Sequence, residues 1–113
     1  MGKLNRNTMV IRFKKPVLDW LKKDGMFDFS LEEINFNTPT FLIPEFESIP
    51  EFEEKSDELK KYLFQEILAT FNEDPNAWPN KEMTAKNFNK WFDYTLHETV
   101  LDVADEPLEN QEL

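Results

Sequence analysis

The chain has 113 residues, of which 40% are hydrophobic and 14% aromatic, and this length and composition predict one folded domain. It contains no cysteine, which excludes disulfides, thiolate metal sites and a cysteine nucleophile. Its formal net charge of −10 repels phosphate backbones, so we expect no nucleic-acid partner.

The first two predicted elements are a strand and a short helix. Residues 9–13 place Met9, Ile11 and Phe13 on one face, which is the alternation of a half-buried strand. Pro16 suits the first turn of a helix and Gly25 suits its closing position. We therefore predict a strand over 9–13 and a helix over 16–24.

A capping box and a proline-bounded strand follow. Ser30 and Glu33 have the spacing that lets each side chain bond the other residue's backbone N–H, which predicts one or two helical turns. Residues 40–43 form a short apolar run between Pro39 and Pro44. Because each proline removes a ladder donor, this run is predicted to be an edge strand.

The longest predicted helix covers residues 50–72. It opens on the second copy of a local Ile-Pro-Glu-Phe-Glu duplication that starts at Ile43 and again at Ile49, and that is too short to form a repeat architecture. Its apolar residues recur at helical spacing. These residues are Phe52, Leu59, Leu63, Phe64, Ile67, Leu68 and Phe71.

The C-terminal part admits two interpretations. Residues 72–83 are predicted to form a loop in which Trp78 covers the core, and Thr84 caps a final helix. The uninterrupted helical period favours continuing that helix through Val103. However, residues 95–103 are rich in β-forming residues, so a third strand after a shorter helix stays open.

These elements predict an α+β fold, with a small sheet of two strands packed against three or four helices and a third strand at 95–103 left open. We expect a single domain over 1–104 and an acidic, mobile tail over 105–113. No apolar run reaches the length that crosses a bilayer and no signal peptide is evident, so we expect a cytoplasmic protein without membrane contact. The sequence leaves the oligomeric state open.

His97 is the only candidate for catalysis or metal binding. The two glycines are too few for a phosphate-binding loop, so no nucleotide cofactor is expected, and a single histidine without cysteine gives no ordinary metal site. On a continuous helix, Asp93 would lie one turn before His97 and could orient its imidazole. No nucleophile is marked beside them, so we expect a structural histidine and favour a non-enzyme, while an enzyme built on His97 and nearby carboxylates stays open as the weaker alternative.

The densest charge lies in an acidic run that we predict to be an interaction surface. Residues 1–24 carry a formal charge of +5 and residues 25–113 carry −15. We therefore expect a non-enzymatic interaction module that binds and masks a basic protein. A small-molecule pocket lined by Trp20, Trp78, Phe88, Trp91 and Phe92 is the alternative. The acidic run comprises Glu45, Glu47, Glu51, Glu53, Glu54, Asp57 and Glu58.

Three segments carry a resemblance to known proteins. Residues 5–8, the segment Phe41-Leu42-Ile43-Pro44-Glu45-Phe46 and the segment Trp91-Phe92-Asp93-Tyr94-Thr95-Leu96-His97 together resemble small, acidic, uncharacterised bacterial proteins. The resemblance implies an independent domain. It implies no activity, substrate or site residue.

Overall fold

The chain folds into helices packed on one face of an antiparallel sheet. The computed structural model describes residues 2–3, 5–23, 28–104 and 106–109. Five α-helices are present among them: α1 (Lys15–Lys22), α2 (Leu31–Ile34), α3 (Ile49–Lys55), α4 (Asp57–Ala69) and α5 (Ala85–Trp91). Five strands accompany them: β1 (Gly2–Lys3), β2 (Asn7–Phe13), β3 (Thr40–Ile43), β4 (Phe92–His97) and β5 (Leu101–Asp102). The predicted α+β class is confirmed.

The main sheet has the order β3-β2-β4, so β2 is its central strand. Both neighbours run antiparallel to β2, with Thr8 opposite His97 on β4 and Leu42 on β3. Successive side chains of a strand point to opposite faces, and here Met9, Ile11 and Phe13 are buried while Arg12 is exposed. A second, two-stranded sheet pairs β1 with β5.

The core lies between the sheet and the helices. It combines the inner face of the sheet with apolar side chains of α1, α3, α4 and α5, and its rings meet mainly edge to face, the arrangement that aromatic quadrupoles favour. On the opposite face, the described positions of β2, β3 and β4 are exposed or half-buried. The buried core residues are Met9, Ile11, Phe13, Val17, Ile43, Phe52, Leu63, Phe64, Ile67, Leu68, Phe88, Trp91 and Phe92.

The elements with strong local signals form as predicted. Pro16 lies in the first turn of α1, which ends at Lys22; the predicted closure at Gly25 lies outside the described residues. Ser30 and Glu33 form the capping box of α2. β3 is an edge strand flanked by Pro39 and Pro44.

The prediction of one helix over 50–72 is wrong, because the chain breaks at Ser56. This residue leaves the helical conformation (φ −98°, ψ 10°) and separates α3 from α4. Serine followed by two acidic residues is a helix-start pattern; here the Ser56 hydroxyl makes no capping hydrogen bond, and the carboxylates of Asp57 and Glu58 lie near the positive end of the new helix dipole. The break accounts for five helices where three or four were expected.

The prediction of a helix through Val103 is also wrong. A third strand follows a shorter helix, as in the alternative, but it covers Phe92–His97 instead of 95–103, and Leu101–Asp102 belongs to the second sheet. α5 ends at Trp91 and Phe92 adopts an extended backbone. In β4, Phe92, Tyr94 and Leu96 turn towards the core side, while Asp93, Thr95 and His97 are exposed. Pairing with β2 gives partners to the backbone groups of Asp93, Thr95 and His97 and adds Phe92 to the core.

The segment between α4 and α5 contains two short 3-10 turns, Pro75–Ala77 and Asn80–Glu82, and otherwise forms the predicted loop. Trp78 packs against the core from this loop, as expected. Of the predicted tail, residues 106–109 form neither helix nor strand, and residues 105 and 110–113 lie outside the described part.

Candidate functional site

The acidic run is divided between paired and unpaired carboxylates. Glu51 accepts the backbone N–H of Glu47 at 2.8 Å and lies 3.4 Å from the ammonium of Lys55. The backbone N–H first, and then Lys55, hold the pKa of Glu51 below its ordinary value. Glu58 lies 3.8 Å from Lys61. These carboxylates are therefore partly used within the molecule.

The remaining members of the run face solvent. Glu45 and Glu47 precede α3, Glu54 lies on α3, and Asp57 opens α4. All four are exposed, and none of the ion pairs formed by the described residues includes them. We call these four residues the α3 acidic surface.

Glu53 belongs instead to a partly buried polar cluster. Its carboxylate lies 3.0 Å from the ammonium of Lys60, and the hydroxyl of Tyr94 donates to the same carboxylate. Lys60 is 3% exposed, and its ammonium lies 5.6 Å from the ring centroid of Phe52 and 5.4 Å from that of Tyr94. The cluster joins α3, α4 and β4 through one buried cation.

The cluster shifts the acid–base behaviour of two of its members. Burial raises the pKa of Glu53, but the hydrogen bonds from Tyr94 and Lys60 outweigh it, so the pKa lies below its ordinary value. Burial, followed by the neighbouring Glu53 carboxylate, raises the pKa of Tyr94. At neutral pH Glu53 is therefore an acceptor and Tyr94 a donor, which suits a structural contact.

Substitutions of Lys60 separate the packing of its stem from its charge. We expect Lys60→Met to change the free energy of unfolding by no more than about 1 kcal/mol, because methionine fills the same space and Glu53 keeps access to water. Lys60→Ala should cost about 2–3 kcal/mol, since it also leaves a cavity. Urea denaturation of both variants checks this. A methionine variant as unstable as the alanine variant would show that the charge pair, and not the stem, stabilises the fold.

A groove runs between α3 and β4 beside this cluster. Its volume is about 380 Å³. Ile49, which is 56% exposed, forms part of the apolar wall of the groove. Two acidic residues, Glu53 and Asp93, also line the groove. No lysine or arginine lines it among the described residues. We call this the α3–β4 groove; it is lined by Ile49, Glu53, Asn89, Phe92, Asp93, Tyr94, Thr95 and Leu96.

The aromatic residues proposed for a small-molecule pocket do not converge on one cavity. Phe88 and Phe92 are buried in the core, and Trp91 is 6% exposed. Trp20 and Trp78 line a different groove of about 360 Å³. Their indole N–H groups already donate to the carbonyls of Ala77 (3.0 Å) and Asn72 (2.7 Å), so neither offers a polar anchor to a ligand.

His97 and Asp93 are not neighbours in this fold. Both lie on β4, four positions apart, which separates their Cα atoms by about 13 Å in an extended strand. His97 is exposed opposite Thr8, whereas Asp93 lies 3.8 Å from Lys14. The helical spacing that would have joined them is absent because β4 is a strand. No three His, Cys, Asp or Glu residues cluster for a metal ion within the described ranges.

The sequence interpretation found the acidic run but missed the roles of Lys60 and Tyr94. A signal for Lys60 exists, because it lies four residues before Phe64 on the inward stripe of α4. For Tyr94, the signal in the sequence is the alternation of residues along β4. No local pattern, however, indicates that α3 and β4 lie side by side.

In the described part of the chain no helix is long and apolar enough to cross a membrane. Comparison with protein-family models, with curated proteins and with solved structures gives no match.

Proposed function

We propose that this chain is a non-enzymatic interaction module that binds a basic protein through the α3 acidic surface. The observation that carries the proposal is that Glu45, Glu47, Glu54 and Asp57 are exposed while the neighbouring Glu51, Glu53 and Glu58 have cationic partners of their own. Carboxylates without an internal partner are available to lysine and arginine side chains of another protein.

The charge of the whole molecule supports the same partner. A net charge of −10 accelerates encounters with a basic protein and disfavours nucleic acids and other acidic proteins. Exposed charges are screened over about 8–10 Å at physiological ionic strength, so the affinity for such a partner should fall as salt rises. The proposed role is to recognise, and so to mask, a basic surface.

Two triple variants of equal net charge test the proposal. The first, Glu45→Lys with Glu47→Lys and Glu54→Lys, reverses most of the α3 acidic surface. The second, Glu66→Lys with Glu73→Lys and Glu82→Lys, reverses three exposed carboxylates elsewhere. Each change adds two positive charges, so both variants move the net charge from −10 to −4. Any difference between them therefore reports position and not total charge.

The binding measurement uses partners captured from a lysate at low salt and then purified. We expect to capture a protein with a basic surface, and its affinity for the chain should fall as salt rises. The first variant should bind it about tenfold or more weakly, because each lost carboxylate–cation pair contributes up to about 1 kcal/mol. The second variant should bind nearly as well as the natural chain. Equal losses in both variants, or binding that salt does not affect, would contradict the proposal.

A further inference from the structure

β4 has a free edge whose peptide groups point away from the sheet. Ile11 donates its N–H to the carbonyl of Pro39 on the β3 side of β2, so by alternation Val10 and Arg12 turn their peptide groups towards β4. Their partners there are Thr95 and Asp93. The N–H and C=O groups of the intervening Tyr94 and Leu96 therefore point outwards, along the edge of the sheet.

These outward groups are unpaired within the described residues. No hydrogen bond outside the strand ladders involves the N–H or C=O of Tyr94 or Leu96, and the only ladder of β4 in that part of the chain is the one with β2, on its other side. An unpaired row of this kind is a template for another strand.

The α3–β4 groove follows this edge. It contacts five consecutive residues of β4, from Phe92 to Leu96. Consecutive side chains point to opposite faces of a sheet, so a cavity on one face would contact only alternate residues. A cavity that contacts all five lies beside the strand, where an added strand would lie.

The opposite edge of the sheet is less open to pairing. β3 has four residues, and Pro39 and Pro44 flank it. Prolines beside a strand prevent the pairing from extending in either direction. β4 contains six residues and no proline. Because β4 is longer than β3 and has no proline, β4 is the edge at which another strand can pair.

We propose that the basic partner inserts an extended segment into the α3–β4 groove and pairs with β4 as a fourth strand, antiparallel like the other pairs of this sheet. This inference rests on the proposed function and names how that partner binds. Side chains of the segment opposite Tyr94 and Leu96 lie on the helix side, beside Ile49, and are apolar. Side chains on the other face lie opposite Asp93 and are lysine or arginine.

The charge argues for this occupant over a second copy of the chain. Two copies pairing along β4 would bring together molecules of charge −10 each, with no lysine or arginine among the described residues of the groove to compensate. A segment with alternating apolar and basic residues complements the apolar wall on the helix side and the exposed carboxylate of Asp93 on the other face.

Backbone-methylated peptides test strand pairing independently of charge. The probe is a six-residue peptide of alternating valine and lysine, with blocked termini. When the peptide runs antiparallel to β4 with its valines opposite Tyr94 and Leu96, the valine N–H groups face β4 and the lysine N–H groups face solvent. N-methylation of the valines should therefore weaken binding by about tenfold or more, whereas N-methylation of the lysines should leave it nearly unchanged.

Protein variants give the matched comparison. Leu96→Pro removes an outward N–H from β4, and Leu42→Pro is its control on β3, where Leu42 occupies the equivalent outward position opposite Thr8. We expect the first to abolish peptide binding and the second to retain it. Circular dichroism verifies folding, and slowed amide exchange at Tyr94 and Leu96 on binding provides a readout in the unmodified chain.

The outcomes separate this inference from the proposed function. Equal binding of the two methylated peptides would overturn strand pairing, yet the charge-reversal comparison at the α3 acidic surface would stand. A dimer that Leu96→Pro dissociates would overturn the proposed occupant in favour of a second copy. Loss of binding only with methylated valines, in a monomeric chain, supports the inference.

Discussion

Replacing Phe64 by alanine is expected to lower the free energy of unfolding by about 3–5 kcal/mol, more than the loss expected for Lys60→Ala or Asn35→Ala. Phe64 is fully buried, and its ring centroid lies 6.1 Å from that of Phe88, 5.3 Å from Trp91 and 5.1 Å from Phe92. One side chain thus holds α4 against both α5 and β4. Its removal loses the burial of a large ring and leaves a cavity that rigid aromatic neighbours cannot fill.

Urea denaturation measures this loss, with Tyr62→Ala as the control. Tyr62 lies on the same helix but is 58% exposed, so its removal should change stability by no more than about 0.5 kcal/mol. Because small domains are stable by about 5–15 kcal/mol, the Phe64→Ala chain should be at or near its folding limit at 37 °C. A loss below about 2 kcal/mol would mean that the core repacks around the vacancy.

Replacing Asn35 by alanine is expected to cost about 2–3 kcal/mol, because its side chain takes the place of a strand. The amide oxygen of Asn35 accepts the N–H of Phe13 at 2.7 Å, and the amide nitrogen donates to the carbonyl of Phe13 at 2.9 Å. β3 pairs with β2 only as far as Val10, so Asn35 satisfies the backbone where the neighbouring strand has ended. Alanine would leave both groups of Phe13 unpaired.

Two further substitutions sharpen the measurement. Asn35→Asp keeps the acceptor for the Phe13 N–H and loses the donor, so its cost should fall between those of Asn35→Ala and the natural chain. Asn37→Ala changes an exposed asparagine in the same loop and should have little effect. Equal stability of Asn35→Ala and Asn37→Ala would show that water replaces both hydrogen bonds.

The candidate site was only partly predictable. The acidic run is visible in the sequence, and its exposed members form the α3 acidic surface. The α3–β4 groove was not visible, because it needs Ile49 and Leu96 side by side, and those residues are 47 positions apart in the chain. The pairing of His97 with Asp93 depended on a helix that does not form.

Short-range chemistry was sufficient wherever an element depends on its own residues. The alternation in β2, the capping box at Ser30, and the prolines around β3 act within a few residues, and all three predictions are confirmed. The helix-start pattern at Ser56 was equally local. It was overlooked because the apolar period continues across the break.

Long-range contacts settled the conformations that local preferences left balanced. Residues 92–97 fit both a helical period and strand alternation, and the free edge of β2 selects the strand because it offers partners to the backbone groups of Asp93, Thr95 and His97. The burial of Lys60 has a similar origin, since Glu53 and Tyr94 reach it from separate elements. Composition and local pattern thus specified the type of most elements and the acidic character of the surface. Packing specified which edge stays open and which carboxylates stay unpaired, because both depend on residues that only folding brings together.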